Sequence, residues 1–255
     1  MKISIITAAF NSGATLRDTL ESVLRQTHRD VEHIIKDGGS SDNTLEIAES
    51  FRRRYADAGK SLVIVSERDG GLYDAMNKGI AMATGDVIGI LNSDDFYASE
   101  IVLETIAERI VDVDAVYGNL DFIDFHDVNK IIRQWNGSQY EIGGFFKGWH
   151  PAHPTFYARK KCFESYGCFD TTFDVSADFE LMFRFIEKNR IRNKYIPITF
   201  VKMRYGGEST GSIGKIIQGN KNVLRAFRKN GFKVPLFYLF RRLFPKLLNI
   251  IKNKI

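Results

Sequence analysis

A chain of 255 residues is long enough for one large α/β domain with a short appendage, and 44% hydrophobic content is that of a folded core, not of a disordered segment. Only two cysteines occur, Cys162 and Cys168, in no CxxC pair, which argues against a zinc site and for reduced thiols in a cytoplasmic setting. The formal net charge of +5 hides an asymmetry: residues 1–208 carry 25 basic and 31 acidic side chains, whereas residues 209–255 carry eleven basic and no acidic ones.

The start, MKISIITAAFNSG, is too short in its apolar run and too lightly charged for a signal peptide. Ile3–Ala9 reads instead as a buried parallel strand. Leu16, Leu20, Val23 and Leu24 recur at helical spacing after Asn11 or Ser12, either of which suits a cap. Val31–Lys36 predicts a second strand, closed by the turn Asp37-Gly38-Gly39-Ser40-Ser41-Asp42, and Leu45, Ala48 and Phe51 a second helix. Leu62–Val65 predicts a strand, Tyr73–Met82 a helix, Asp86–Leu91 a strand, Ile101–Ile110 a helix, and Ala115–Tyr117 the start of a fifth strand. Such alternation implies βαβ units and a parallel sheet, whose ligands bind at the carboxyl ends of the strands. Asp37 and the Asp94-Asp95 pair stand at two of those ends, so they converge on one crevice.

The second half reads differently. Asp121–Trp135 predicts a hairpin around His126-Asp127-Val128-Asn129. Gly143–Pro154 is rich in glycine and aromatics and holds His150 and His153. Ser176–Lys188 predicts a helix and Tyr195–Met203 a strand that ends at Gly206-Gly207. No window approaches ~20 uninterrupted apolar residues, so no spanning helix is expected. Over residues 235–255, helical projection puts leucines, isoleucines and phenylalanines on one half and Arg241, Arg242, Lys246 and Lys252 on the other. That is the pattern of a basic amphipathic helix lying in a membrane interface; packing on the catalytic body or on a homodimer partner is the alternative.

Several short segments carry chemistry. Asp94-Asp95 offers hard oxygen ligands for Mg²⁺ or Mn²⁺ bound to a diphosphate; taken alone, such a short acidic pair reads more readily as a solvated turn or a helix cap. Asp37 suits hydrogen bonds to a base or ribose, or plain turn chemistry. Asp178, at a predicted helix start, suits a general base or simple dipole stabilisation. No GxGxxG follows the first strand, which argues against a dinucleotide oxidoreductase, and no nucleic-acid module appears.

Together, ISIITAAFN, IIKDGGSSDNT, SERDGGLYDAMNKGIAMATGD, GILNSDD and GCFDTTFDVSADFELMFR resemble glycosyltransferase family 2, over residues 1–207. The resemblance implies an α/β GT-A, Rossmann-like fold with a mixed, mainly parallel sheet, and an inverting, non-processive enzyme. It implies a nucleotide-sugar-binding half over 1–117, an acceptor-binding half over 118–207, and the basic tail over 208–255. By the same resemblance Ala8 and Phe10 line the base pocket, Asp37 holds the nucleoside of a UDP-sugar, Asn77 contacts the donor, Asp94 takes the ribose, Asp95 takes the metal, and Asp178 is the base. His150 and His153 are expected to contact the acceptor or donor phosphate, to complete the metal shell, or to order their Pro-rich loop. The chain departs from the family in having Phe10 for an aromatic hydroxyl, Met76 for an arginine and Ala177 for an acidic neighbour. The expected acceptor is a lipid-linked saccharide, and the expected location the cytoplasmic face of the membrane. A polyprenyl-phosphate transferase and, less favoured, a non-catalytic nucleotide-sugar-binding protein are the alternatives.

Overall fold

The structure, a computed structural model, describes residues 1–206 and 213–234, together with 236, 238 and 239. Among the described residues nine strands form one sheet: β1 (Ile3–Ala9), β2 (Val31–Asp37), β3 (Ser61–Ser66), β4 (Val87–Ile90), β5 (Phe96–Tyr97), β6 (Ala115–Ile123), β7 (Ile131–Trp135), β8 (Tyr157–Arg159) and β9 (Asn193–Arg204). The helices are α1 (Leu16–Leu24), α2 (Thr44–Ser50), α3 (Arg52–Asp57), α4 (Leu72–Met82), α5 (Val102–Arg109), α6 (Lys160–Tyr166), α7 (Ala177–Met182) and α8 (Ile213–Lys229).

The strand order is β3-β2-β1-β4-β8-β6-β9-β5, with β7 added on β6. Residues in β1 alternate between two cores. Ile3, Ile5 and Ala9 pack with Leu16, Leu20 and Val23 of α1; Ile6 and Ala8 pack with Met76 and Ile80 of α4. A strand covered on both faces has no use for polar alternation, which is why its sequence is an unbroken apolar run. Each such isoleucine contributes roughly 1.5–3 kcal/mol of burial. Helix α4 lies so close that a Cβ at Gly79 would come within 2.4 Å of Ile6.

The first half follows the predicted alternation, with β1 to β4 all parallel. In register, Ala9 stands beside Asp37 and Asp37 beside Ser66, so these carboxyl ends form one edge. The predicted hairpin is present as β6 and β7. Four elements escaped the sequence reading, the first being the short helix α3 after Phe51. Strand β8 slips in antiparallel between β4 and β6, and α6 follows it directly. It is only three residues long, below the length at which periodicity is legible. The two-residue β5 pairs with β9 immediately after Asp95. The helix expected over 176–188 is α7 followed by a π-helical stretch, Phe183–Lys188, which keeps Phe183, Phe185 and Ile186 all buried.

Within the segment expected as a tail, α8 packs on the body: Phe227 meets Phe179 at 6.0 Å and Phe183 at 4.9 Å between ring centres. The amphipathic helix expected over 235–255 lies outside the described residues apart from 236, 238 and 239. No helix among the described residues is long and apolar enough to cross a membrane.

Candidate active site

The crevice at the carboxyl edge is built from three turns. After β1, the Phe10 ring is 64% exposed and lies against Gly38, where a Cβ would stand 3.4 Å from it. Ala8, two residues earlier on β1, is buried. After β2, Asp37 is fully buried and its carboxylate accepts four hydrogen bonds. Its Oδ2 takes Gly39 N and Ser40 N, both at 3.0 Å, and Ser66 Oγ at 2.6 Å; its Oδ1 takes the Ser40 hydroxyl. Burial opposes ionisation of Asp37, but these donors outweigh it and hold the carboxyl below its ordinary range. Asp37 thus fixes the turn that shapes the crevice, and most of its acceptor capacity is spent doing so. After β3, the carboxylate of Asp69 reaches the same glycine, 2.9 Å from a Cβ built at Gly38. Sequence reading passed over Asp69, which sits in the quoted segment SERDGG.

The acid pair follows β4. Asp95 is fully buried, and its turn is pinned by Thr19 Oγ1 to Asp95 O at 2.7 Å and Asp95 N to Asn92 O at 3.1 Å. Arg204, from the end of β9, donates to Asp94 O at 2.5 Å and pairs with Asp18. Asn92 Nδ2 donates to Asp95 Oδ2 at 3.1 Å, yet Asp95 Oδ1 and Asn92 Oδ1 are buried with no hydrogen-bond partner. Burial, and then the charge of Asp94, raise the proton affinity of Asp95 well above the ordinary carboxylate range; burial also raises that of Asp94. A carboxylate desolvated beside a second carboxylate is expensive unless a cation joins it. Among the described residues no three His, Cys, Asp or Glu side chains converge as a metal cage, so most ligands of a cation here come from solvent or substrate oxygens.

The third group gathers around Phe169. Tyr73, in the first turn of α4, stacks on its ring at 5.5 Å and donates its hydroxyl to Asp178 Oδ1 at 3.3 Å. Burial, and then the Asp178 charge, push the Tyr73 phenol far above its ordinary value, so it stays a donor. His153 meets the same ring edge-on at 5.6 Å, and its Nε2 is buried without a partner. Burial lowers the proton affinity of His153 against the opposing charge of Asp178, leaving a neutral ring. Asn77 clasps the Phe169 backbone both ways, Nδ2 to O at 2.8 Å and N to Oδ1 at 2.9 Å. Its amide is therefore committed to holding this cluster. His150 donates within its own loop, Nδ1–H to Pro151 O at 2.9 Å, and touches the rings of Trp135 and Phe179 at 5.0 and 5.5 Å. Glu180 is bound by Arg184 and Asn230, both at 2.9 Å, and is structural. Lys78 is spent on Asp74 at 3.3 Å and Glu67 at 3.7 Å.

A curled mixed sheet, most of whose paired residues lie in parallel ladders, with an acid pair at the end of its fourth strand, defines a GT-A glycosyltransferase. Residues 4–193 match glycosyl transferase family 2, and the chain belongs to that family. It is 29% identical over 219 residues to a PGL/p-HBAD biosynthesis glycosyltransferase of Mycobacterium bovis (strain BCG / Pasteur 1173P2), covering 83% of this chain and 80% of that one. It is 35% identical over 129 residues to glycosyltransferase GlyG of Streptococcus pneumoniae serotype 4, covering 50% of this chain and 42% of GlyG. Among solved structures, S. aureus TarS in complex with UDP-GlcNAc superposes with a TM-score of 0.68 at 16% identity, over 95% of this chain and 73% of that one. The chain spans 41% of a longer TarS structure. The mannosyltransferase PcManGT of Pyrobaculum calidifontis, in complex with GDP-Man and Mn²⁺, superposes with a TM-score of 0.66 at 19% identity, over 92% and 66%.

Proposed function

We propose that this glycosyltransferase moves one sugar, with inversion, from a UDP-linked donor to a hydroxyl of a lipid-linked saccharide acceptor. The observation that carries the reading is Asp95: a fully buried carboxylate with an unpartnered oxygen beside a second carboxylate. That arrangement fits a divalent cation, Mn²⁺ or Mg²⁺, held by Asp95 and completed by donor phosphate oxygens. A cation held there would offset the negative charge that grows on the departing diphosphate.

The chain's own residues supply the rest. The exposed face of Phe10 stacks on the base, Ala8 leaves room for it, and the turn fixed by Asp37 bounds the nucleoside together with Asp69. Asp94 binds the ribose. Asn77 contributes by locking Phe169 and, through it, Tyr73. Asp178 takes the proton of the acceptor hydroxyl as that oxygen bonds to the anomeric carbon and the carbon–oxygen bond to phosphate breaks, its electron pair leaving with the diphosphate. One carboxylate suffices for a single displacement, hence inversion. Residues 1–117 serve the donor and 118–207 the acceptor. The basic segment at 235–255 holds the enzyme on the anionic inner face of the cytoplasmic membrane, where such an acceptor resides.

The test is nucleotide release from a panel of UDP- and GDP-sugars with Mn²⁺ or with excess chelator. Turnover of a UDP-sugar that stops in chelator and in Asp95→Asn is expected. Full turnover in chelator, or preference for a GDP-sugar, would overturn the metal or the donor assignment respectively.

A further inference from the structure

Arg133, on the hairpin, is a partly buried cation with no ion pair among the described residues. It is half-buried on β7, opposite Phe122 in register, and its guanidinium lies 4.0 Å from the centre of the Phe122 ring. Its Nε is buried with no hydrogen-bond partner, and burial lowers its proton affinity. The ring contact accounts for one face of the cation only. The N–H groups of a guanidinium project in its own plane, where a ring above it offers no acceptor. The neighbouring polar side chain on the hairpin, Gln134, points to the other face of the sheet and bonds Asp121 at 3.3 Å. No carboxylate among the described residues forms an ion pair with Arg133.

The position of this cation connects it to the reaction centre. Phe122 stacks with Trp135 at 6.5 Å, Trp135 meets His150 at 5.0 Å, and His150 meets Phe179, the residue after Asp178, at 5.5 Å. An aromatic wall thus runs without a break from the helix that carries Asp178 to the guanidinium. Phe122 and Phe179 are buried, so the partly exposed rings of this wall are Trp135 and His150; their faces suit the C–H faces of a sugar, and a planar fork of donors suits the oxygens of a phosphate or carboxylate.

We propose that Arg133 and Trp135 form an acceptor subsite that takes an anionic group, a phosphate or a sugar carboxylate, several ring widths from the hydroxyl that receives the sugar. The proposal rests on Asp178 marking the acceptor side. The subsite makes the enzyme selective for a charged acceptor over a neutral saccharide of the same shape.

The direct test uses full-length protein labelled with ¹⁵N-arginine, in chelator so that no cation bridges anions to the acid pair. The Nε–H signal of Arg133, assigned by its loss in Arg133→Lys, is followed while inorganic phosphate, glucuronate, farnesyl diphosphate or neutral glucose is added. Saturable movement with at least one anion and none with glucose is expected. Movement with farnesyl diphosphate and phosphate but not glucuronate identifies a lipid-linked phosphate; movement with glucuronate alone identifies an acidic sugar. Kinetically, Arg133→Gln raises the KM about tenfold or more for a saccharide acceptor that bears the kind of anion that moved the signal, with the melting temperature unchanged and donor hydrolysis held within about twofold. A signal that none of the three anions moves overturns the subsite. So does a variant whose donor hydrolysis falls as far as its transfer. Absence of UDP-sugar hydrolysis in the unaltered enzyme would instead sink the function proposed above, and the arginine titration would still be read independently.

Discussion

The Tyr73 hydroxyl donates to Asp178 Oδ1 at 3.3 Å, joining the first turn of α4 to the first turn of α7. Helix α4 begins at the crevice, just after Asp69, so one phenol ties the donor edge to the proposed base. A bond of this length to a carboxylate contributes about 1 kcal/mol. Tyr73→Phe is expected to lower kcat by about fivefold with donor affinity unchanged. Asp178→Asn is expected to lower it by roughly 10²–10⁴ with UDP still bound. Rapid-quench kinetics and UDP calorimetry check both. Glu180 is bound by Arg184 and Asn230 and is not free to take over, so substantial residual transfer in Asp178→Asn would refute the assigned base.

Asp95 predicts an unusual pairing of effects. Its carboxyl has a raised proton affinity in the fold, so metal-free protein gains stability from its protonated form and loses it as pH rises through the folded value. Asp95→Asn removes that buried charge and keeps the shape. In chelator near neutral pH the variant is expected to melt at or above the unaltered protein. It is also expected to lose stabilisation by UDP with Mn²⁺, worth about 2.7 kcal/mol at ~100 times Kd. Thermal melts with and without chelator decide the matter; a variant that melts lower in chelator contradicts the burial argument.

Asp37 accepts four donors, so Asp37→Asn sets an amide N–H₂ among groups that themselves donate. A destabilisation of roughly 1–3 kcal/mol is expected, together with weakened UDP binding. Urea unfolding measures the first and calorimetry the second. Intact stability with lost UDP affinity would show that Asp37 acts on the nucleoside and not on the turn.

Acid sensitivity follows from β2. His33 is fully buried between Thr7 and Tyr55, and burial lowers it from 6.5 to about 3. Burial opposes ionisation of Glu32, but Ser4, Thr84 and Lys2 donate to it and hold it at about 2, from 4.5. Both folded values lie below the unfolded ones, so both contributions are present above 6.5 and 4.5 and are lost as pH falls toward 3 and 2. Stability is expected to decline from about pH 7 to about pH 4, His33 acting first, while the His33 ring signals stay those of a neutral imidazole. A ring that titrates near 6.5 contradicts this.

The tail prediction must respect α8. Phe232 contacts Phe146 and Phe183, and the Tyr238 ring lies 4.9 Å from Phe227, so a cut after Gly231 would open the core. Removal of residues 240–255 is the cleaner test. It is expected to abolish flotation with anionic liposomes at low salt and to leave UDP binding unchanged. Equal flotation of both forms would exclude membrane anchoring by that segment.

The parallel half of the sheet was legible because strands covered on both faces must be apolar throughout, as Ile3–Ala9 is. The acid pair was legible because it breaks such a run abruptly. Strands β5 and β8 were not, because two or three residues show no period and their pairing is settled by distant partners. The fate of Asn77 was hidden for a related reason. Its side chain closes on a backbone 92 residues away, and nothing local to NKG announces that. Tyr73 and Asp69 stood in a segment already singled out, and the chemistry of a phenol and a carboxylate four residues apart was the signal that went unused.

The acid turn is fastened from both sides. Strand β4 enters it, β5 leaves it to pair with β9, and Arg204 at the end of β9 holds the Asp94 carbonyl while pairing with Asp18. The loop that carries Asp94 and Asp95 is thereby braced by β9, from the half proposed to serve the acceptor. A chimaera that exchanges acceptor specificity by splicing at residue 117 would import a foreign brace against a native acid turn. Carrying the native β9 and Arg204 along with the first half is the graft that keeps the two in register.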